Sequence, residues 1–195
     1  MTKFKASQLE TIPYQFYNLF IDFDDTIVNS SNIIVNILNQ RYNKHYTYHD
    51  VNRWDYSDIF PSINPIDITE LFDSEEFFRQ AMFNFYPNVE SFIRRNLNYR
   101  NITVVSCGMA TNLYLKEKFL NDVFGKDVKF IGIESSEMGK QSVDMKGAIL
   151  IDDHEDNLIS SNADLKILFA CDGKKECNHN LYDNNSQLCM ESWNE

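Results

Sequence analysis

Residues 18–30 of the chain read NLFIDFDDTIVNS. The stretch begins with the apolar run 19–21, which predicts a buried strand, and then places Asp22, Asp24 and Asp25 within four positions. Acidic residues are poor strand formers, and like charges this close repel each other unless a cation lies among them. A folded protein that keeps such a cluster at the end of a strand has a use for it, and the rest of the chain indicates which.

The predicted strand around this run spans residues 17–23, and it is one of five stretches with the length of a buried strand. Near-continuous apolar strands separated by helical patterns are typical of a parallel sheet that helices cover on both faces. We therefore predict a Rossmann-like α/β fold with three layers, in which ligands collect at the carboxyl ends of the strands. The other predicted strands are 102–106, 128–133, 148–152 and 165–170, and the predicted helices between them are 111–124, with Thr111 as N-cap, and 155–163.

A long segment separates the first predicted strand from the second. It has almost 80 residues, far more than one crossover helix needs, and residues 29–86 read as a series of short helices punctuated by prolines. We expect residues 1–28 and 87–195 to form the α/β core, and residues 29–86 to form a small helical cap over the acidic strand end. Trp54, in a polar part of this cap, is a candidate substrate contact.

The surface is acidic, with a formal net charge of −11 and a pI near 4.8. Such a surface repels nucleic-acid backbones and anionic membranes, so we expect neither a nucleic acid polymer nor a membrane as a partner. It is compatible with a homodimer. It is also compatible with a small phosphorylated substrate, provided that a metal or backbone N–H groups supply local positive potential.

Two further features bear on where the protein works. No apolar run is long enough to span a bilayer, and the first residues lack the apolar stretch of a signal peptide. The four cysteines, Cys107, Cys171, Cys177 and Cys189, follow no C-x-x-C spacing. We therefore expect reduced thiols and a cytoplasmic location.

Polar residues follow three of the predicted strands, at the edge where a ligand would bind. They are Asp22 and Asp24 after the first strand, Ser106 with the small residues Cys107 and Gly108 after the second, and Asp152 with Asp153 after the fourth. The small residues after Ser106 are expected to leave backbone N–H groups accessible. Lys140 lies ahead of the fourth strand and adds an ammonium group to the set.

The chemistry of these groups is complementary. Hard carboxylate oxygens without soft ligands suit Mg²⁺, which commonly bridges to a phosphate. Phosphoryl transfer needs neutralisation of the charge on three equatorial oxygens, and Mg²⁺, a lysine, a serine hydroxyl and backbone N–H groups can provide it. One carboxylate can be the nucleophile, while a second protonates the leaving oxygen and later deprotonates water.

The segment FIDFDDTI resembles the first signature of the haloacid dehalogenase-like (HAD) phosphohydrolases, an apolar strand followed by D-x-D-x-T and an apolar residue. ITVVS is similar to their second signature and AILIDD to their fourth, with a lysine between them as the third. The resemblance covers most of the chain in the correct order. It implies a Rossmann-like core, and a helical cap inserted directly after the first signature.

The resemblance also implies a role for each matched residue. Asp22 would be the nucleophile and a ligand of Mg²⁺, and Asp24 the general acid/base whose backbone carbonyl also binds the metal. Ser106 would hydrogen-bond the phosphoryl group, Lys140 would neutralise the nucleophile and the phosphate, and Asp152 would complete the metal site.

The remaining matched positions have supporting roles under the same resemblance. Thr26 would order the turn on the phosphate side, and Asp153 would be an auxiliary acidic residue beside the metal ligands. Cys107 and Gly108 would face the phosphate through their backbone. Lys146 competes with Lys140 for the cationic role, because it lies only six positions before Asp152.

Within the superfamily, the chain looks similar to the 5′(3′)-deoxyribonucleotidases. The segments that carry this likeness are YPNVESFI before the second strand, AILIDDHEDNL at the fourth, ILFACDG at the fifth and Trp193 near the end. The likeness implies a 5′-nucleotidase that acts on nucleoside monophosphates through an aspartyl phosphate, with cap aromatics that stack on the base.

Three other functions remain as alternatives. One is a HAD phosphatase for another small phosphomonoester, and another is a catalytically idle binding protein with the same fold. A phosphate-accepting receiver domain also gathers aspartates, a hydroxyl and a lysine on a parallel sheet, but the D-x-D-x-T spacing and the long helical insert disfavour it.

Overall fold

A computed structural model describes residues 2–12, 17–53, 55–134, 139–170 and 188–194. Within these ranges the chain forms one seven-stranded sheet in which every pair of neighbours is parallel, with the strand order β1-β7-β6-β5-β2-β3-β4. The strands are β1 (Thr2–Lys3), β2 (Asn18–Ile21), β3 (Asn101–Gly108), β4 (Lys129–Glu134), β5 (Ile149–Asp152), β6 (Leu165–Phe169) and β7 (Leu188–Met190). All five predicted strands are present, and the predicted α/β fold is confirmed.

Six α-helices accompany the sheet in the described ranges. They are α1 (Ser30–Tyr42), α2 (Pro65–Phe72), α3 (Glu75–Ala81), α4 (Val89–Asn96), α5 (Ala110–Phe124) and α6 (Glu155–Ser160). Short 3-10 turns at Ala6–Thr11, Tyr48–Asp50, Gly125–Asp127 and Lys140–Ser142 lie in the connections between the helices and strands. The first three helices pack on one another, whereas α5 packs on β3 and β4, and α6 packs on β5 and β6.

The centre of the sheet is the core of the molecule. Leu19 and Ile21 of β2, and Ile149 and Ile151 of β5, are fully buried, as expected for strands that helices cover on both faces. Burial of each of these side chains contributes about 1.5–3 kcal/mol. This packing fixes the position of the residues that follow β2 and β5 in the chain.

Local caps set the helix boundaries of the insert. The Asn29 side chain accepts a hydrogen bond from the Asn32 N–H at the start of α1, and Asn43 ends that helix in the left-handed conformation, with φ of 51°. Asn64 caps α2 and Ser74 caps α3 in the same way. Asn and Ser are favoured at these positions because their side-chain oxygens satisfy N–H groups that have no partner inside the helix.

The structure differs from the expectations in three respects. Helix α5 has Met109, not Thr111, as N-cap, because β3 continues to Gly108 and the chain turns directly into the helix. The short strands β1 and β7, which pair at one edge of the sheet, were not expected. Cys189 is disulfide-bonded rather than reduced.

None of the described helices has the length and apolar character needed to cross a membrane.

Candidate active site

The sheet places three polar strand ends beside one another. Strand β2 lies between β5 and β3, and Ile21 pairs with both Ile151 and Val104. Asp22 and Asp152 therefore leave the sheet at the same level, and the Asp22 N–H donates to the Ile151 carbonyl at 2.9 Å. The chain runs from β2 to β3 on one side and returns to β5 on the other, and such a switch point is where ligands bind in open α/β sheets.

Lys140 connects two of these ends. Its side chain is buried, and its ammonium group contacts the carboxylates of both Asp22 and Asp152. Burial alone would lower the pKa of Lys140, but the attraction of the two carboxylates outweighs it and raises that pKa well above its ordinary value. Lys146, the competing lysine of the sequence, is exposed to solvent.

Three carboxylates gather around this lysine. Ligand oxygens of Asp22, Asp152 and Asp153 lie within 4.8 Å of one another. Asp152 also accepts hydrogen bonds from the His154 N–H at 2.9 Å and from Asn157 Nδ2 at 3.1 Å, which fix its orientation. Burial raises the pKa of Asp22 well above its ordinary value, an effect that Lys140 opposes and the neighbouring carboxylates reinforce.

This acidic group fits a divalent cation. It offers hard oxygen ligands and more negative charge than one lysine neutralises, which is the donor chemistry that Mg²⁺ and related ions prefer. Asp22 and Asp152 were expected in the set from the sequence. The third member found in the structure is Asp153, whereas the side chain of Asp24 is not part of it.

Asp24 instead belongs to a second cluster on the other side of Asp22. The Ser30 hydroxyl at the start of α1 donates to Asp24 Oδ1 at 2.7 Å, and the ammonium group of Lys116 contacts Asp24 Oδ2. Lys116 also donates to the Ser106 hydroxyl at 2.9 Å. The two residues most closely matched to acid/base and phosphate-binding roles are thus joined by a buried lysine that the sequence analysis did not single out.

The loop after β2 is held from two directions. Asp25 has a left-handed φ of 51°, and its carboxylate accepts hydrogen bonds from the Ser31 N–H, at 2.9 Å, and the Ser31 hydroxyl. Asp tolerates this conformation better than most residues. The second contact comes from near the end of the chain, where the indole N–H of Trp193 donates to the Thr26 carbonyl at 2.9 Å. The position of Asp24 therefore follows from contacts with α1 and with the end of the chain.

A cavity of about 820 Å³ opens over these clusters. The insert between β2 and β3 lines one wall with polar and apolar side chains, and the strand ends line the other. Seven of the residues predicted for the site border the cavity: Asp22, Asp24, Ser106, Cys107, Gly108, Lys140 and Asp153. Its wall on the side of the insert includes Val51, Asn52, Arg53, Tyr56, Ile68, Thr69, Phe72 and Asp73.

Two further predicted residues are buried and do not line the cavity. Asp152 is fully buried beneath the cavity, where Lys140 contacts it. Thr26 is also fully buried and is not among the described residues that line the cavity, so its position suits ordering of the turn and not contact with a phosphate. Trp54 lies outside the described residues.

Gly108 shows why a small residue stands at the end of β3. A Cβ atom built on Gly108 would lie 2.7 Å from Oδ1 of Asn112, closer than real side chains approach. The Asn112 side chain is buried and donates to the Phe72 carbonyl at 2.7 Å. Gly108 thereby leaves room for a contact between α5 and the insert at the rim of the cavity.

Solved structures of other proteins share this architecture. A protein described as the HAD-hydrolase YfnB of Bacillus subtilis, bound to magnesium, has a TM-score of 0.55 and 10% identity, over 91% of this chain and 95% of its own. The haloacid dehalogenase-like protein SP0104 of Streptococcus pneumoniae has a TM-score of 0.56 and 10% identity, over 91% of this chain and 95% of its own. A HAD family hydrolase of Deinococcus radiodurans with bound phosphate and sodium has a TM-score of 0.55 and 13% identity, over 93% of both chains.

No family model matches the sequence, and no curated protein matches it. At 10–13% identity, the structural similarity concerns the fold. The chain therefore has the fold of HAD hydrolases together with an acidic group that can hold a metal ion.

Proposed function

We propose that this protein is a Mg²⁺-dependent phosphomonoester hydrolase in which Asp22 is the nucleophile. The observation that carries the proposal is the position of Asp22. Its carboxylate borders the cavity, contacts Lys140 and lies within 4.8 Å of Asp152 and Asp153, in a chain with the fold of HAD hydrolases. We assign the exchange of protons to Asp24, two positions along the chain, which also borders the cavity.

In the first step, an Asp22 carboxylate oxygen attacks the phosphorus atom, and the bond between phosphorus and the leaving oxygen breaks. Asp24 donates a proton to that oxygen, so the product leaves as an alcohol and Asp22 becomes an aspartyl phosphate. Lys140 compensates the charge of the nucleophile, and the Ser106 hydroxyl would donate to a phosphoryl oxygen in the part of the cavity that Cys107 and Gly108 also line.

In the second step, a water molecule attacks the same phosphorus atom. Asp24, now a carboxylate, accepts a proton from this water, and the bond between phosphorus and the Asp22 oxygen breaks. Inorganic phosphate is released and both carboxylates return to their starting forms. The hydrogen bond from the Ser30 hydroxyl holds Asp24 at one place in both steps.

Asp22, Asp152 and Asp153 would hold the metal ion, together with the backbone carbonyl of Asp24 that the resemblance implies. When bound, Mg²⁺ would supply positive charge that compensates the negative charge of the phosphoryl group. Three carboxylates, two of them buried and both in contact with Lys140, support this assignment, as does the fold shared with a protein solved with magnesium.

We further propose that residues 29–86 act as a cap over the core formed by residues 1–28 and 87–195. Helices α1 to α3 lie in this segment, and several of its residues form a wall of the cavity. A closed cap would exclude bulk water from the aspartyl phosphate and would contact the leaving group.

The substrate class that we propose is a nucleoside monophosphate, with the protein acting as a 5′-nucleotidase. A cavity of about 820 Å³ has room for a nucleoside, and Tyr56, Phe72 and Ile68 give its cap-side wall an apolar and aromatic character suited to a base. A phosphatase for another small phosphomonoester is the second candidate, since the described wall also carries the polar side chains of Asn52 and Asp73.

The test is phosphate release from a panel of nucleoside 5′- and 3′-monophosphates and sugar phosphates, with Mg²⁺ and with a chelator. We expect Mg²⁺-dependent release that Asp22→Asn abolishes and that Asp156→Asn, an exposed acid on α6, leaves unchanged. The ranking of the panel would identify the leaving group. Absence of release from every member would contradict the proposal and favour a binding role.

A further inference from the structure

Lys116 is a buried cation in the middle of a helix. Its side chain is only 1% exposed, and it lies on the face of α5 that also buries Leu113, Phe119 and Leu120. An ammonium group at such a place is costly unless it is paired and hydrogen-bonded. Its neighbour Lys118, two positions along the same helix, is exposed. The burial of Lys116 therefore has a specific reason, which its contacts supply.

The ammonium group of Lys116 borders the cavity and has two polar partners. It contacts Asp24 and lies 2.9 Å from the Ser106 hydroxyl, and it also stands 5.2 Å from the centre of the Phe23 ring. Ammonium groups only donate hydrogen bonds, so Ser106 is the acceptor in this contact. The Ser106 O–H remains available to donate to a further acceptor, and an anionic oxygen in the cavity would suit it.

The two buried lysines of the site differ in how their charge is matched. Lys140 contacts two carboxylates, those of Asp22 and Asp152. Lys116 contacts one carboxylate, that of Asp24, and one neutral hydroxyl, and the Asp73 carboxylate also attracts its charge. Lys116 therefore has one carboxylate in direct contact where Lys140 has two, and an anion next to Ser106 would supply a second direct contact. The chemical class that such an anion fits is a phosphoryl group.

We propose that Lys116 binds the transferring phosphoryl group beside Ser106, as a second cation opposite Lys140, and that it holds Asp24 when no substrate is bound. This inference rests on the proposed function. It adds to the site a residue from α5, so that the phosphoryl group is contacted from the ends of β2 and β3 and from the helix that follows β3.

The test is the affinity of the full-length protein for inorganic phosphate, measured by calorimetry in the presence of Mg²⁺. Loss of one charged hydrogen-bonding group is expected to weaken phosphate binding by about tenfold to a hundredfold in Lys116→Met. Lys118→Met is the matched control and should bind phosphate like the wild type. Lys116→Gln, which keeps a polar group without the charge, should show the same loss, and Lys116→Arg should restore part of the affinity.

Turnover provides a second measurement. In the wild type and in Lys116→Arg, KM for the best substrate of the panel should lie well below that of Lys116→Met and Lys116→Gln. Equal phosphate affinity and equal KM in all four proteins would overturn the inference, even if the wild type hydrolyses phosphomonoesters. Phosphate binding that depends on Lys116, without hydrolysis of any substrate, would support this inference and contradict the proposed function.

Discussion

Lys140 and Asp152, twelve positions apart in the chain, are in contact at the carboxyl end of β5, and the same ammonium group contacts Asp22 of β2. One buried cation thus stands between two carboxylates from neighbouring strands. Removal of one partner from such a group leaves buried charge without compensation, which is strongly destabilising. Lys140 is therefore as important for the stability of the folded protein as for the proposed chemistry.

We predict that Lys140→Met lowers the free energy of unfolding by about 3–5 kcal/mol at pH 8 in the presence of a chelator. The measurement is urea unfolding. Lys146→Met, which removes an exposed lysine, should change it by less than about 0.5 kcal/mol. A loss in Lys140→Met no larger than that of the control would show that the ion pairs contribute nothing to stability.

The stability of Lys140→Met should also depend on pH. Lys140 opposes the burial that raises the pKa of Asp22, so its removal raises that pKa further above the ordinary value of 3.8. At a pH between the ordinary pKa of Asp22 in the unfolded chain and its raised pKa in the folded variant, the folded state binds more protons than the unfolded state. The free energy of unfolding therefore falls as the pH rises through this range. The deficit relative to the wild type is expected to be smaller at pH 5 than at pH 8, and a deficit that grows on acidification would contradict this reasoning.

Mg²⁺ should raise the midpoint of thermal unfolding, because a ligand that binds only the folded state stabilises it by mass action. Asp153 is one of the three carboxylates whose oxygens lie within 4.8 Å of one another, so Asp153→Asn should reduce the shift. Asp156→Asn removes an exposed carboxylate three positions later and should keep the full shift. If the two variants responded equally to Mg²⁺, Asp153 would not be a ligand.

Cys107 should react slowly with alkylating reagents, although it borders the cavity. Burial raises the pKa of its thiol above the ordinary value, with Lys140 opposing the effect, so little reactive thiolate is present at neutral pH. The measurement is the rate of iodoacetamide labelling of the Cys107 peptide by mass spectrometry from pH 7 to pH 10. We expect the rate to keep rising beyond pH 9, and a plateau below pH 8 would contradict the assignment.

Trp193→Phe should destabilise the protein by about 1–3 kcal/mol, because it removes the donor to the buried Thr26 carbonyl. The ring stays apolar and can keep contacts with Phe92 and Phe169, which pack against the indole. Urea unfolding measures the effect. A change of less than about 0.5 kcal/mol would mean that this hydrogen bond does not hold the loop after β2.

The sequence predicted the centre of the fold and the strand-end residues of the site. Strands β2, β3, β4, β5 and β6 were recognisable because burial on both faces requires continuous apolar runs. That Asp22 and Asp152 lie close together followed from the rule that parallel strands end at a common edge of the sheet. Strands β1 and β7 have only two and three residues and left no such pattern.

Lys116 was missed for a different reason. A lysine in a helix usually points to solvent, and only its spacing from Leu113 and Phe119 places it on the buried face. That spacing was visible in the sequence, but the partners that make burial tolerable, Asp24 and Ser106, come from distant parts of the chain. Likewise, only the three-dimensional structure shows that Lys140 contacts Asp22 and Asp152 and that Lys146 is exposed.

The central claim is that Asp22 becomes phosphorylated during turnover. The most direct measurement is rapid acid quench of the wild-type protein with its best substrate and Mg²⁺, followed by mass spectrometry of the peptide that contains Asp22. We predict a transient phosphoryl group on Asp22 that forms before phosphate is released and is absent in Asp22→Asn. Phosphate release at the wild-type rate by Asp22→Asn, with no phosphorylated peptide at any time, would contradict the account.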